Sequence, residues 1–115
     1  MKESTQKSIK ERLKEIHDQF EQLINDIREN PFDRLWIKTK YGSLKTRLKT
    51  EMDIYHTLKG KNEATDDEKS LYYPAVSEAF CELTARVDAP PNQKMLDCLF
   101  SGQGQIDYYL SQIDN

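Results

Sequence analysis

The sequence predicts an all-α fold, an antiparallel four-helix bundle formed by one domain over residues 1–115. Apolar residues recur with helical spacing in four segments of similar length, and short connections join these segments. Four glycines and four prolines are too few for an all-β protein built from tight turns. The composition, 37% hydrophobic and 32% charged, is typical of amphipathic helices with solvated outer faces.

The first helix is predicted at about residues 6–29. Its apolar residues follow the i, i+3, i+4, i+7 rule, so they share one face of the helix. Pro31 ends the helix, because proline disfavours helical geometry in the residue before it. The apolar face consists of Ile9, Leu13, Ile16, Phe20, Leu23, Ile24 and Ile27.

The second helix is predicted at about residues 34–59. Asp33 can accept a hydrogen bond from a free amide of its first turn. Gly60 is expected to end it in a left-handed conformation. The apolar face consists of Ile37, Tyr41, Leu44, Leu48, Met52 and Tyr55.

The third helix is predicted at about residues 66–87. Thr65 and Glu68 have the spacing of a capping box, which marks its start. Pro74 lies inside the helix and predicts a kink, or a split into 66–73 and 74–87. The apolar face consists of Leu71, Tyr72, Ala75, Val76, Ala79, Phe80, Leu83 and Val87.

The fourth helix is predicted at about residues 91–113. Its apolar face keeps a constant phase through the stretch "SGQG", which favours one unbroken helix. Gly102 and Gly104 either let a neighbouring helix approach closely or break the helix. The residues of this face are Leu96, Leu99, Gln103, Ile106, Leu110 and Ile113.

Charge is distributed unevenly along the chain. The net charge is −3, yet residues 34–62 carry eight basic and two acidic side chains, whereas residues 63–115 carry three basic and ten acidic ones. Between Arg34 and Thr50 there are six basic residues and no acidic residue. This asymmetry points to a charged surface on the second helix.

Two interpretations of the basic segment remain open. On a helical wheel its main group lies within about 60°, a usable surface for nucleic acid or for an acidic partner. Alternatively, the basic side chains border the apolar face and pair with acidic groups of the other helices. The group consists of Arg34, Lys38, Lys45 and Lys49.

Aromatic residues suggest a protein-binding surface. Tyr72-Tyr73 and Tyr108-Tyr109 each place one ring near the apolar face and the next about 100° away. Tyrosine and tryptophan are enriched at binding surfaces. We therefore predict protein binding near Trp36, Tyr73 and Tyr109, with edge packing of these rings as the alternative.

No catalytic, cofactor or metal site is predicted. His17, His56 and Cys81 have no spacing that joins a nucleophile to a base. Asp53 and His56 are spaced as metal ligands, but Asp53 lies far from the apolar face. Cys81 and Cys98 lack the spacing of a zinc site or of a disulfide framework.

No apolar run is long enough to span a membrane, and "MKESTQKSIKERLKE" lacks the apolar core of a signal peptide. A cytoplasmic protein without membrane contact is therefore expected.

Residues 59–84, "KGKNEATDDEKSLYYPAVSEAFCELT", resemble the middle of the Hha family. These are small helical bacterial proteins that bind the nucleoid protein H-NS and modulate gene silencing. The resemblance is carried by Asp66, Glu68, Tyr73, Ala75 and Glu82-Leu83-Thr84. It implies a regulatory role in partnership with a nucleoid protein.

Three functions follow as hypotheses. The first is a non-enzymatic protein-interaction module, such as an adaptor, regulator or inhibitor, acting through a charged and aromatic helical surface. The second is a regulator that binds nucleic acid through the basic helix 34–59, or an Hha-like partner of a nucleoid protein. The third is an enzyme or a metal protein. A homodimer is compatible with each of them.

Overall fold

Four segments of the chain form α-helices in a computed structural model that describes residues 8–30, 32–84 and 93–113. The helices are α1 (Ile9–Glu29), α2 (Arg34–Gly60), α3 (Tyr73–Glu82) and α4 (Gln93–Ile113). A π-helical turn, Glu68–Tyr72, leads directly into α3. The described residues contain no β-strand, so the prediction of an all-α fold is confirmed.

The helices form a closed ring in which each packs against its neighbours in sequence and α4 packs against α1. Pairs of contacts show that neighbouring helices run antiparallel, which confirms the predicted four-helix bundle. The contacts that fix these directions are Arg12–Glu51 and Glu15–Arg47 for α1 and α2, Tyr55–Tyr73 and Lys45–Phe80 for α2 and α3, Glu78–Tyr109 and Glu82–Gln105 for α3 and α4, and His17–Asp107 and Arg28–Phe100 for α1 and α4.

The predicted apolar faces meet at the centre of the bundle. Every predicted core residue of α1 from Leu13 to Ile27 is buried, and Ile9 packs partly against the cluster. Removing a leucine- or isoleucine-sized side chain from water stabilises the fold by about 1.5–3 kcal/mol. Met95 and Cys98 of α4 are also buried, although the periodicity did not include them.

The predicted starts of the second and third helices are confirmed by their hydrogen bonds, whereas the predicted starts of the first and fourth, at about residues 6 and 91, lie outside the described residues. The Asp33 carboxylate accepts from the Trp36 amide at 3.3 Å. Thr65 and Glu68 form the reciprocal bonds of a capping box, at 2.8 and 3.1 Å. Ser8 and Glu11 form the same motif at the start of α1. These bonds satisfy amides that a helix leaves free at its first turn.

The predicted left-handed end of α2 at Gly60 is wrong. Gly60 lies within the last turn of the helix, and no described glycine has a positive φ. The left-handed residue is Asn62, with φ 60°. Asparagine adopts this conformation more readily than most other residues, so Gly60 stays helical as the last residue of α2 and the chain turns at Asn62.

The segment around Pro74 changes its hydrogen-bonding register. The Tyr73 amide bonds to the Glu68 carbonyl, five residues back, and α-helical geometry begins at that point. Proline has no amide hydrogen, and its ring crowds the preceding turn, so a regular α-helix cannot run through this position unchanged. The kink or split of the helix axis stays a prediction.

Helix α3 ends at Glu82, earlier than the predicted residue 87. Leu83 leaves helical geometry, and its amide bonds to the Phe80 carbonyl at 3.1 Å. The Leu83 side chain is nevertheless buried, so the helix can end there without loss of core packing. Val87, predicted as a core residue, lies outside the described residues.

Helix α4 runs unbroken through "SGQG", as its periodicity predicts. A Cβ atom on Gly102 would lie 2.6 Å from Phe20 Cε1 and 3.4 Å from the Ala79 carbonyl oxygen. Gly102 therefore allows α4 to pack closely against α1 and α3. A Cβ atom on Gly104 would meet nothing within 4 Å, so the same explanation does not apply there.

The substitution Gly102→Ala should destabilise the bundle by about 1–3 kcal/mol, because Phe20 must move to admit the methyl group. Chemical denaturation measures this change in the free energy of unfolding. Gly42→Ala is the matched control, since a Cβ there meets nothing within 4 Å and alanine favours a helix by about 1 kcal/mol over glycine. Equal stabilisation by both substitutions would contradict the close approach.

Candidate functional site at the basic edge of α2

The buried face of α2 separates two edges, one beside α1 and the other beside α3. Arg47 lies on the edge beside α1, where it reaches Glu15. Lys45 lies on the edge beside α3, where its ammonium is 5.8 Å from the centre of the Phe80 ring. The four basic residues singled out by the sequence share this second edge on a helical wheel. We call Arg34, Lys38, Lys45 and Lys49 the basic edge.

On the α1 side of α2, the basic residue Arg47 pairs within the bundle, as the second interpretation predicts. The Arg47 guanidinium donates to Gln19 at 2.8 Å, to Glu15 at 3.4 Å and to Glu51 at 3.4 Å. Its partners thus come from α1 and from its own helix. Arg47 joins helices inside the bundle and is not available as a ligand-binding group.

A buried network around Glu51 accounts for this pairing. Glu51 is 9% exposed, accepts from Arg12 at 2.7 Å, and also accepts from the Tyr72 hydroxyl. The Arg12 guanidinium lies 4.2 Å from the centre of the Tyr72 ring. A buried carboxylate is stable only when it is paired and hydrogen-bonded. The network therefore joins α1, α2 and the π turn.

Protonation of the network is determined by opposing effects. Burial raises the pKa of the Glu51 carboxyl, but hydrogen bonds from Arg12 and Tyr72 and the charges of Arg12 and Arg47 outweigh it, so the pKa lies below its usual value. Burial and the bond to Glu51 raise the pKa of the Tyr72 hydroxyl. Glu51 is thus ionised and Tyr72 neutral around pH 7.

A groove of about 720 Å³ lies above this network, between α1 and α2. The charged groups in its walls pair with one another, Arg12 with Glu51 and Glu68, and Arg47 with Glu15 and Glu51. Within the described ranges no group of three or more His, Cys, Asp and Glu side chains could hold a metal ion. The lining residues are Ser8, Ile9, Arg12, Glu15, Arg47, Glu51, Ile54, Leu58, Thr65 and Glu68.

The basic edge has a different environment. The adjoining edge of α3 consists of Tyr73, Ser77 and Phe80, which share a face by helical spacing and carry no charge. The two acidic residues of α3 point to α4 instead: Glu78 accepts from the Tyr109 hydroxyl at 3.0 Å and Glu82 from the Gln105 amide at 3.3 Å. No acidic group of α3 therefore neutralises the basic edge.

Most of the basic edge has no ion-pair partner within 4 Å among the described residues. The exception is Lys49, which lies 3.4 Å from Asp53 of the same helix. Both side chains of that pair are well exposed, so it contributes little to stability. Arg34 and Lys38 are exposed and Lys45 is half-buried against Phe80. These ammonium and guanidinium groups can bind an external anion.

An aromatic cluster continues the basic edge towards the C-terminal end of α2. The rings of Tyr55 and Tyr73 stack with centres 4.5 Å apart, and His56 lies edge-on to Tyr73 at 5.2 Å. Tyr55 is buried, whereas His56 is exposed and Tyr73 half-buried. Two rings at the surface thus adjoin a row of positive charges. The tyrosine pair in the sequence gave the signal for Tyr73, but not for the cluster.

The structure does not bring the three predicted protein-binding residues together. Trp36 lies on the α1 side of α2, with the Lys40 ammonium 5.7 Å from its ring, about 28 Å along the helix from the aromatic cluster. Tyr109 packs against the core and bonds to Glu78. Only Tyr73 adjoins the basic edge.

No described helix is long and apolar enough to cross a membrane. Comparisons with protein-family models, with the curated proteins and with the solved structures found no match to this chain. The resemblance of residues 59–84 to the Hha family therefore stays a prediction.

The substitution Glu51→Gln should lower the free energy of unfolding by about 1–3 kcal/mol at neutral pH, because charge-assisted bonds inside the bundle are weakened. The folded-state pKa lies below the ordinary value of 4.5, so this stabilisation is present above pH 4.5 and is lost as the pH falls through the folded-state pKa. Denaturation at several pH values measures both effects.

The exposed loop residue Glu63 provides the control, as Glu63→Gln. The difference between wild type and Glu51→Gln should shrink on acidification, whereas Glu63→Gln should behave as wild type throughout. A Glu51→Gln protein with the same stability and acid sensitivity as wild type would show that the network does not stabilise the fold.

Proposed function

We propose that the protein is a small, non-enzymatic interaction module of the cytoplasm, an adaptor, regulator or inhibitor. It binds an acidic segment of a protein partner across the basic edge, with Tyr73 and His56 at one end of the contact. The observation that carries the proposal is the uncharged edge of α3 beside the basic edge. Because these charges have no counterpart there, they are available to an external anionic group.

The arrangement of charges within α2 supports the same proposal. Arg34 and Lys38, and likewise Lys45 and Lys49, are like-charged pairs at i,i+4 spacing. Each such pair destabilises a helix by about 0.2–0.5 kcal/mol. On the α3 side no acidic group among the described residues offsets this repulsion, and only Lys45 has a contact there, with the Phe80 ring, whereas an acidic partner would turn the repulsion into attraction.

The exposed rings favour a protein partner over an ion alone. Tyr73 is half-buried on Tyr55, so its ring is held in place and loses little conformational freedom when a partner binds. Aromatic residues next to basic ones suit acidic segments that also carry apolar side chains. Trp36 and Tyr109 lie elsewhere and would contribute only to a partner that extends around the bundle.

Nucleic acid is the second candidate for the same surface. The specific observation in its favour is the exposed ring of His56 and the half-buried ring of Tyr73 beside four basic residues, since bases stack on aromatic rings while the cations contact phosphates. The net charge of −3 opposes it, because the rest of the chain would repel a polyanion. We therefore place the acidic protein segment first.

Replacing Lys38, Lys45 and Lys49 by glutamine should weaken binding of the partner about tenfold, since three exposed charge pairs contribute about 0.5 kcal/mol each. The measurement is affinity capture from cell lysate, with nuclease treatment, at low and moderate salt, followed by titration of the captured protein. The control replaces Lys14, Lys40 and Lys61, which removes the same charge outside the basic edge.

An acidic protein retained by wild type and by the control, but lost from the basic-edge variant, is the expected result. If no partner protein is recovered after nuclease treatment, nucleic acid is favoured instead. A nucleoid protein among the captured proteins would favour the Hha-like alternative. Equal recovery by both triple variants would exclude the basic edge as the site.

A further inference from the structure

The outward face of α4 is unusual for a helix in contact with water. Phe100 is 40% exposed and Tyr108 is 57% exposed, and Gly104 lies midway between them at i,i+4 spacing. No lysine, arginine or glutamate occurs on α4 after Lys94. The remaining residues of this face are Asp97, Ser101, Asp107 and Ser111.

These positions follow the spacing of a helix-pairing seam. They form two interleaved rows, 97-101-104-108-111 and 97-100-104-107-111, and each row recurs at steps of three and four, the period of a helix that packs along a second helix. Gly104 stands at the centre of this seam, where a side chain would extend into open space. A residue without Cβ at the centre of a contact lets two helix axes approach closely.

The face is complementary to itself when two copies run antiparallel. With the two Gly104 residues on the two-fold axis, Phe100 of each copy lies opposite Tyr108 of the other. Aromatic rings in such cross-pairs attract each other through offset or edge-on packing. Each pair occurs twice, as a two-fold interface requires.

Charge on this face favours the antiparallel over the parallel arrangement. In the antiparallel register Asp97 lies opposite Ser111, and Asp107 lies opposite Ser101, so no two carboxylates of the face lie opposite each other. A parallel pair would place Asp97 against Asp97 and Asp107 against Asp107, which repel. The carboxylates are also held within their own chain, Asp97 by Gln93 at 2.8 Å and Asp107 by His17 at 2.9 Å.

We propose that the outward face of α4 binds a second copy of this chain, in an antiparallel α4–α4 contact centred on Gly104. The contact does not involve the basic edge, because α2 and α4 are not neighbours in the ring of helices. Glu78 and Glu82 of α3 lie beside α4 and approach their counterparts in the dimer. Added salt screens this repulsion and strengthens the dimer, whereas it weakens binding at the basic edge.

Analytical ultracentrifugation of the full chain tests the proposal. Wild type should dimerise at concentrations up to about 100 µM, more tightly at high salt. Gly104→Glu should raise the dimer dissociation constant tenfold or more, because two bulky carboxylates meet on the axis. Thr46→Glu adds the same charge to the exposed face of α2 and should leave dimerisation unchanged. Circular dichroism checks that both variants stay helical.

The register has a test of its own. In a chain with Cys81→Ser, oxidation of Gly104→Cys should join two copies by a disulfide, because the two thiols meet at the axis. Thr46→Cys in the same chain should not form this product. A wild-type chain that stays monomeric, a dimer unaffected by Gly104→Glu, or equal cross-linking of both cysteine variants would each overturn the proposal.

Discussion

Glu51 determines how the charges of α2 are divided between the inside and the outside of the bundle. A carboxylate removed from water must be paired, and here Arg12, Tyr72 and Arg47 supply its partners. This requirement draws α1, α2 and the π turn together and engages Arg47 within the fold. The basic groups on the far side of α2 have no such partner on α3, and they remain at the surface.

Helix α3 completes this separation through the placement of its own charges. Glu78 and Glu82 both bond to side chains of α4, so the opposite edge of α3 presents only uncharged residues to α2. The π turn before Pro74 positions Tyr72 and Tyr73 for different roles. Tyr72 is buried against Glu51, whereas Tyr73 stacks on Tyr55 at the surface. A buried structural residue and a residue of the proposed binding surface are thus adjacent in the sequence.

Periodicity in the sequence was sufficient for the four helices and for most of the core, because burial repeats with the helical turn. Periodicity was not sufficient to predict the buried hydrogen-bond network around Glu51. Glu51 lies three residues after Leu48 and four before Tyr55, a spacing that marks a buried position, but its partner Arg12 is 39 residues away. Partners across helices depend on the packing of the bundle, which a single sequence does not specify. The prediction for the end of α2 was wrong for a local reason, since Asn62 and not Gly60 adopts the left-handed conformation.

Two glycines of α4 show how the inside and the outside of the bundle place different demands on one helix. Gly102 and Gly104 are two residues apart and therefore point to opposite faces. Gly102 is required by Phe20, whereas no described residue lies within 4 Å of a Cβ atom on Gly104, although glycine costs a helix about 1 kcal/mol relative to alanine. The proposed contact with a second copy would give a reason for glycine at this position. Because α2 and α4 lie on opposite sides of the ring, such a dimer would present two outward basic edges, and a partner with two acidic segments would bind both with increased avidity.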